Sequence, residues 1–218
     1  IAQQCLSARC IQLLAEAIGN EPLAAEWKET WKNYQVVIGE NYYRDHLEKF
    51  VDGHPMGLSD PQGARTPVGF WTLLCEAAST ERAGKMVANM VANTGFFGDA
   101  APFPSLIPGD IDADRQGRAW RGGVYAPLVY MAIQGMQKYG YTAEAAKPAR
   151  NMVEHMYRTF VEYEPHTIWE AYSPTERKPA TDTGGVEFVH PDYVGWSGVG
   201  PISLFIEYRS EERRVGKE

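Results

Sequence analysis

Apolar residues along this chain recur mostly at helical spacing, in paired runs joined by short turns. From Ile1 to Gly19 they fall at Leu6, Cys10, Leu13, Leu14, Ala17 and Ile18, and Gly19-Asn20 supplies a stop. Pro22 suits the first turn of a second helix, whose apolar stripe is Leu23, Trp27, Trp31, Tyr34 and Ile38. That stripe must be buried, so Trp27 and Trp31 read as core rather than as a stacking platform. The two runs predict an antiparallel helical hairpin. Between Asn41 and Asp52, Tyr42, Tyr43, Phe50 and Val51 flank a polar turn and predict a short β-hairpin. His54 to Gly63 reads as Gly/Pro-rich loop, with His46 and His54 as solvated histidines.

The alternation then repeats. Thr66-Pro67 has the order of an N-cap followed by a first-turn proline, and predicts a helix through Phe70, Trp71, Leu74 and Cys75 to Ala78. Ser79 can cap a fourth helix that turns Ala83, Met86, Val87, Met90 and Val91 inward. A fifth starts near Val124 and carries Leu128, Met131, Ala132, Gly135 and Met136 to a stop at Gly140. Thr142 is the expected cap of a sixth, with Met152, Val153, Met156, Tyr157, Phe160 and Val161 inward. A seventh begins near Ser197 and continues through Ile202, Leu204, Phe205 and Ile206. Short turns join the partners of each pair, and long loops join one pair to the next. If the pairs pack side by side, all the long loops fall on one end, where a site would sit.

Two of those loops are long and irregular, which in a compact domain usually signals function. Phe96 to Gly123 contains Pro102, Pro104 and Pro108 together with Asp99, Asp110, Asp112 and Asp114. Its DIDAD run lacks the Gly and distal Glu of a calcium loop, so it reads as a solvated acidic loop. His166 to Pro201 holds Trp169, Trp196, several Tyr and Phe, and two isolated glutamates, Glu170 and Glu187. Aromatic faces beside isolated carboxylates suit a sugar groove, where rings supply contact area and a carboxylate supplies acid/base chemistry. Glu170 follows the apolar run Thr167-Ile168-Trp169, which places it at the edge of an element beside aromatic surface; capping the loop or pairing with Arg177 are its alternative fates.

Composition narrows the classes. A net charge of −7 and a pI near 5.3 argue against nucleic acid, whose phosphates call for a basic stripe. No apolar run is long enough to span a bilayer and no basic amphipathic helix occurs, so there is no membrane signal. Cys5, Cys10 and Cys75 look like buried thiols rather than a disulfide set. The five His are scattered and no CxxC occurs, so no metal or other cofactor is expected. The chain starts inside a helical pattern with neither Met nor signal peptide, which reads as a truncation. From Arg209 to Glu218 the apolar spacing stops, and this polar tail is expected to lie outside a fold comprising residues 1–208.

Three segments carry a resemblance: Trp120-Arg121-Gly122-Gly123-Val124-Tyr125-Ala126-Pro127, Ile168-Trp169-Glu170-Ala171-Tyr172-Ser173-Pro174 and Asp192-Tyr193-Val194-Gly195-Trp196-Ser197. In this order before a last helix, they resemble the C-terminal half of the six-hairpin (α/α)6-toroid glycosidases. The likeness is to glycoside hydrolase family 63 and the mannosylglycerate-hydrolase-like group, and more distantly to the family 37 trehalases. PFPSL at Pro102–Leu106 and TPVGFW at Thr66–Trp71 match further family positions. The resemblance implies an all-α fold, a partial (α/α)6 toroid of helical hairpins with long aromatic loops. It also implies inverting hydrolysis of an α-linked sugar by two carboxyl groups. Glu170 stands where the family carries its general base. Trp120, Arg121, Gly122, Tyr125, Trp169, Tyr172 and Trp196 would form the sugar subsite, and Glu187 matches a second loop glutamate that contacts sugar in trehalase-like enzymes. Arg121 could hold hydroxyls or a substrate carboxylate.

The sequence departs from the family pattern at Gly123, Tyr125 and Ala171, which could alter the subsite without removing the base. More important, the family's general acid is an Asp in an upstream segment, and Asp99, Asp110, Asp112, Asp114 and Asp192 lie in other contexts. The missing N-terminal half of the toroid is therefore the expected partner, and this chain alone is expected to be inactive. Two other classes compete: a non-catalytic helical-repeat or carbohydrate-binding module, whose repeats would share a period, and another toroid enzyme such as an epimerase or lyase, which would place His at the chemistry.

Overall fold

The computed structural model describes residues 1–51, 66–92, 101–181, 187 and 189–208. Helices α1 (Ala2–Ala17) and α2 (Glu21–Asn41) form the first hairpin. Gly19 takes φ +73° in the turn, and the Asn20 side chain caps α2 by accepting from the Leu23 amide at 3.2 Å. The predicted β-hairpin is present as β1 (Tyr43–Arg44) and β2 (Lys49–Phe50), with Tyr43 opposite Phe50 and their rings edge to face. Thr66 caps as expected, accepting from the Val68 amide. The helix it starts is a 3-10 turn, Pro67–Phe70, followed by the single turn α3 (Trp71–Leu74), and it stops short of Ala78. Ser79 Oγ accepts from the Arg82 amide and begins α4 (Thr80–Ala92). α5 (Ala126–Lys138) and α6 (Thr142–Glu162) make the last hairpin. α7 (Val194–Ser197) leads through a π-type stretch, Gly200–Leu204, into a final helical turn at 205–208. The expectations for His54 to Gly63, for Phe96 to Asp99 and for the tail from Arg209 lie outside the described residues.

Contacts pass from α1 to α3, from α3 to α5, and from α5 to the C-terminal turns, while α2 packs on α1 and α6 on α5. The core follows this layer through Cys5, Leu73, Met131, Ile133, Met136 and Leu204. At Gly135 the two elements nearly touch. A Cβ there would stand 3.0 Å from both the Leu73 Cβ and the Phe70 carbonyl, so α5 and α3 meet backbone to backbone.

Two predicted faces need correction. α1 buries Cys5, Ala8, Gln12 and Ala15, whereas Cys10, Leu13, Leu14 and Ile18 are exposed. Small side chains let α1 and α2 approach closely, and the large apolar stripe turns outward. α6 buries Met152, His155, Met156 and Thr159, while Tyr157, Phe160 and Val161 are exposed. Val91 on α4 and Ile202, Phe205 and Ile206 at the C-terminus likewise face outward, and Thr142 makes no side-chain cap.

Candidate active site

The three motif segments, distant from one another in sequence, converge. Val124 and Tyr172 exchange backbone hydrogen bonds in both directions at 2.9 Å, which joins the first segment to the second. Tyr193 N–H donates to the Ile168 carbonyl at 2.9 Å, and Thr167 and Asp192 bind each other twice, hydroxyl to carboxylate and amide to hydroxyl, which joins the second to the third. Glu170 lies between these seams and is half-buried.

Three contacts fix it. Its amide donates to the His190 carbonyl at 3.0 Å, and its own carbonyl accepts from the buried Ser197 hydroxyl at 3.2 Å. The His190 amide donates to Glu170 Oε2 at 3.2 Å. Among the described residues no donor reaches the other oxygen, Oε1, and no cation pairs with the carboxylate. Arg177 goes instead to Glu154 on α6 at 3.4 Å. Among the described residues, one oxygen is therefore held and the second is left for a water or a hydroxyl. Sequence reasoning leaves His190 without a role, because its contribution comes from backbone that any residue except proline would offer.

Trp120 stacks on Tyr125 with ring centroids 4.1 Å apart and planes 13° from parallel. Tyr125 is buried beneath it, and burial first, then the negative charge of Glu170, pushes its phenol up to about 12. Burial likewise pushes Tyr139 up to about 12. Both groups ionise near 10 when solvated, so between pH 10 and 12 the folded chain holds protons that the unfolded chain has released. Stability should be insensitive to these groups below pH 10 and fall as pH rises to 12. An alkaline denaturant series with tyrosinate absorbance checks this, and Tyr125→Phe should flatten the slope.

Three of the expected sugar-facing rings are buried in this structure. Trp169, Tyr172 and Tyr125 are 2%, 1% and 3% exposed, so none offers a face to a ligand. They form a floor. The Trp169 amide donates to the Tyr172 hydroxyl at 3.2 Å, Tyr172 meets the buried His155 edge on, and Tyr163 meets Trp169 edge on. Gly122 is also structural: its amide donates to Ser105 Oγ at 2.9 Å. Its φ is +145°, and a Cβ there would lie 2.5 Å from the Asp114 carbonyl. Arg121 is exposed, with Nε donating to the Asp112 carbonyl at 2.8 Å, which ties it to the acidic loop. Glu187 is exposed and accepts from the Tyr163 hydroxyl at 3.0 Å.

Trp120 and Trp196, 55% and 43% exposed, line a groove of about 880 Å³ with Trp71, Pro127 and Tyr130. Its walls come from the first turns of α1, α3 and α5 and the last turn of α2, so these helix ends do gather on one side. Glu170 is not among the residues lining it; Trp120, which is, stacks on Tyr125, whose phenol feels the Glu170 charge. Among the described residues no cluster of three metal-ligating side chains occurs, and no helix is long and apolar enough to cross a membrane.

An all-α chain of hairpins that brings a glutamate and two exposed tryptophans together has the architecture of part of an (α/α)6-toroid glycoside hydrolase. Residues 2–191 match the mannosylglycerate hydrolase MGH1-like glycoside hydrolase domain, and the chain belongs to that family. A mannosylglycerate hydrolase of glycoside hydrolase family 63 from Thermus thermophilus, solved with Tris and D-glycerate, superposes with a TM-score of 0.71 at 21% identity. The match covers 94% of this chain and 44% of that one. Neutral trehalase from Saccharomyces cerevisiae superposes with a TM-score of 0.63 at 26% identity, over 88% of this chain and 32% of that one. An uncharacterised protein of Borreliella burgdorferi is 26% identical over 92% of this chain and 42% of its own length. The chain thus spans less than half the length of these relatives.

Proposed function

We propose that this chain is the part of an inverting glycoside hydrolase that carries the general base, Glu170. The observation that supports this most is the asymmetry of its carboxylate: Oε2 is held by the His190 amide, and Oε1 meets no donor among the described residues. A base so oriented would take a proton from water as that water attacks the anomeric carbon, while a second carboxyl group protonates the leaving oxygen. Inversion needs the two carboxyls roughly 6.5–9.5 Å apart. Asp110 and Asp114 accept from nearby loop amides and Asp192 is bonded to Thr167, which favours an acid supplied by the upstream half. Trp120 and Trp196 would stack on the sugar, and Arg121 and Glu187 would bind its polar groups.

The substrate class we assign is an α-glucoside or α-mannoside, the range spanned by the mannosylglycerate hydrolase and trehalase relatives. A carboxylate-bearing aglycone would suit Arg121. The partner we assign is the missing N-terminal half of the same toroid. Exposed Leu13, Leu14 and Ile18 on α1, and Tyr157, Phe160 and Val161 on α6, give it two apolar flanks to cover. The test is to assay the chain alone and joined to its upstream half. The chain alone should release no sugar, and the joined protein should release a product whose first-formed anomer is β, read by NMR. A first-formed α anomer, or full activity from the chain alone, contradicts the assignment.

A further inference from the structure

The core contains a pair of thiols that the glycosidase chemistry does not use. Cys5 on α1 and Cys75 just after α3 are 70 residues apart in sequence and both fully buried. The Cys5 thiol reaches the Cys75 carbonyl at 3.8 Å and the Trp31 carbonyl at 3.9 Å, and Cys75 Sγ bonds the Thr72 carbonyl at 3.6 Å. The Cys5 sulfur therefore lies against the Cys75 backbone, and each thiol shifts the other, Cys5 upward and Cys75 downward. Trp31 Nε1 donates to the same Cys75 carbonyl at 3.0 Å, which fixes the backbone on that side. The pair is not remote from solvent: Ala2 and Leu6 around Cys5, and Thr72 and Leu74 around Cys75, line the 880 Å³ groove.

We propose that Cys5 and Cys75 form a latent disulfide, closed by a small disulfide oxidant such as oxidised glutathione, which would staple the first helix to α3 along one wall of the groove. The neighbouring Cys5 side chain pulls the Cys75 thiol down toward the thiolate, while Cys75 and then burial push the Cys5 thiol up and hold its proton on, so Cys75 is the first nucleophile. Its thiolate attacks one glutathione sulfur as the groove wall opens, forming a mixed disulfide and expelling glutathione thiolate, which takes up a proton. Cys5, deprotonated in turn, attacks the Cys75 sulfur of that mixed disulfide, and the second glutathione leaves as its thiol. Two protein thiols lose two electrons and two protons, and one glutathione disulfide becomes two thiols.

The experiment uses the chain with the exposed Cys10 replaced, Cys10→Ser, so that only the buried pair can react. It is incubated under native conditions with oxidised glutathione, quenched with acid, and read by intact mass and non-reducing peptide mapping. The expected result is loss of two hydrogens, a Cys5–Cys75 linked peptide, and a melting temperature raised by on the order of 5 °C or more that reverts with dithiothreitol. A stable glutathione adduct, unreacted thiols after prolonged incubation, or a crosslink that forms only in denaturant would each overturn the proposal. None of these readouts depends on catalysis, so the outcome is separate from the fate of the glycosidase assignment.

Discussion

Replacing Glu170 by Gln in the protein joined to its upstream half should lower kcat by about 10³-fold and leave KM within a few-fold, since a positioned general base contributes typically 10²–10⁴. The amide is isosteric, and its oxygen can still accept from the His190 amide, so the fold around it should be preserved. What is lost is the ability of the second atom to take a proton. Glu170→Asp keeps the proton acceptor but draws it back by one methylene, and a misplacement on the order of 1 Å already costs about 10²-fold. The order wild type, then Asp, then Gln, with unchanged circular dichroism, is the signature of a base. Equal losses from both variants together with lowered melting temperatures would instead mark Glu170 as a structural carboxylate, and normal turnover by Glu170→Gln would remove the assignment.

Glu170 can be chosen for that test without coordinates because it sits in a segment whose motif is readable. The first and last helical hairpins, the β-hairpin at Tyr43–Phe50 and the caps at Thr66 and Ser79 are readable for a related reason: each depends on local spacing or on one side chain meeting a nearby amide. The inward faces of α1 and α6 are not. Periodicity finds a stripe of apolar residues, but the partner helix decides which stripe is buried. On α1 the partner takes the small-residue stripe Cys5, Ala8 and Ala15, and leaves Leu13 and Leu14 outside. On α6 the buried face includes His155 and Thr159, polar residues that a hydrophobic pattern assigns to solvent. The hold on Glu170 is invisible for a further reason, since the His190 amide carries no trace in residue identity.

The distinction between floor and wall sets the second large effect. Trp169 and Trp196 are both tryptophans of the same loop region, and the resemblance assigns both to the sugar. Their burial separates them: Trp169 is 2% exposed and Trp196 is 43% exposed. Trp169→Ala removes a ring packed edge on against Tyr163, next to the residue that carries the carboxylate. Emptying such a site costs about 3–5 kcal/mol. For a domain of this size that is on the order of 10 °C in melting temperature. Because Glu170 is the next residue, kcat should fall with stability, and Trp169→Phe should recover a good part of both. Trp196→Ala removes a ring that faces the groove, so stability should move by only about 0.5 kcal/mol. Its cost should appear as a KM raised about tenfold, equivalent to roughly 1.4 kcal/mol of sugar contact. Thermal melts beside Michaelis curves for the two variants separate these outcomes. If Trp169→Ala melts like wild type while weakening only substrate binding, the ring faces the ligand after all and is no part of a floor.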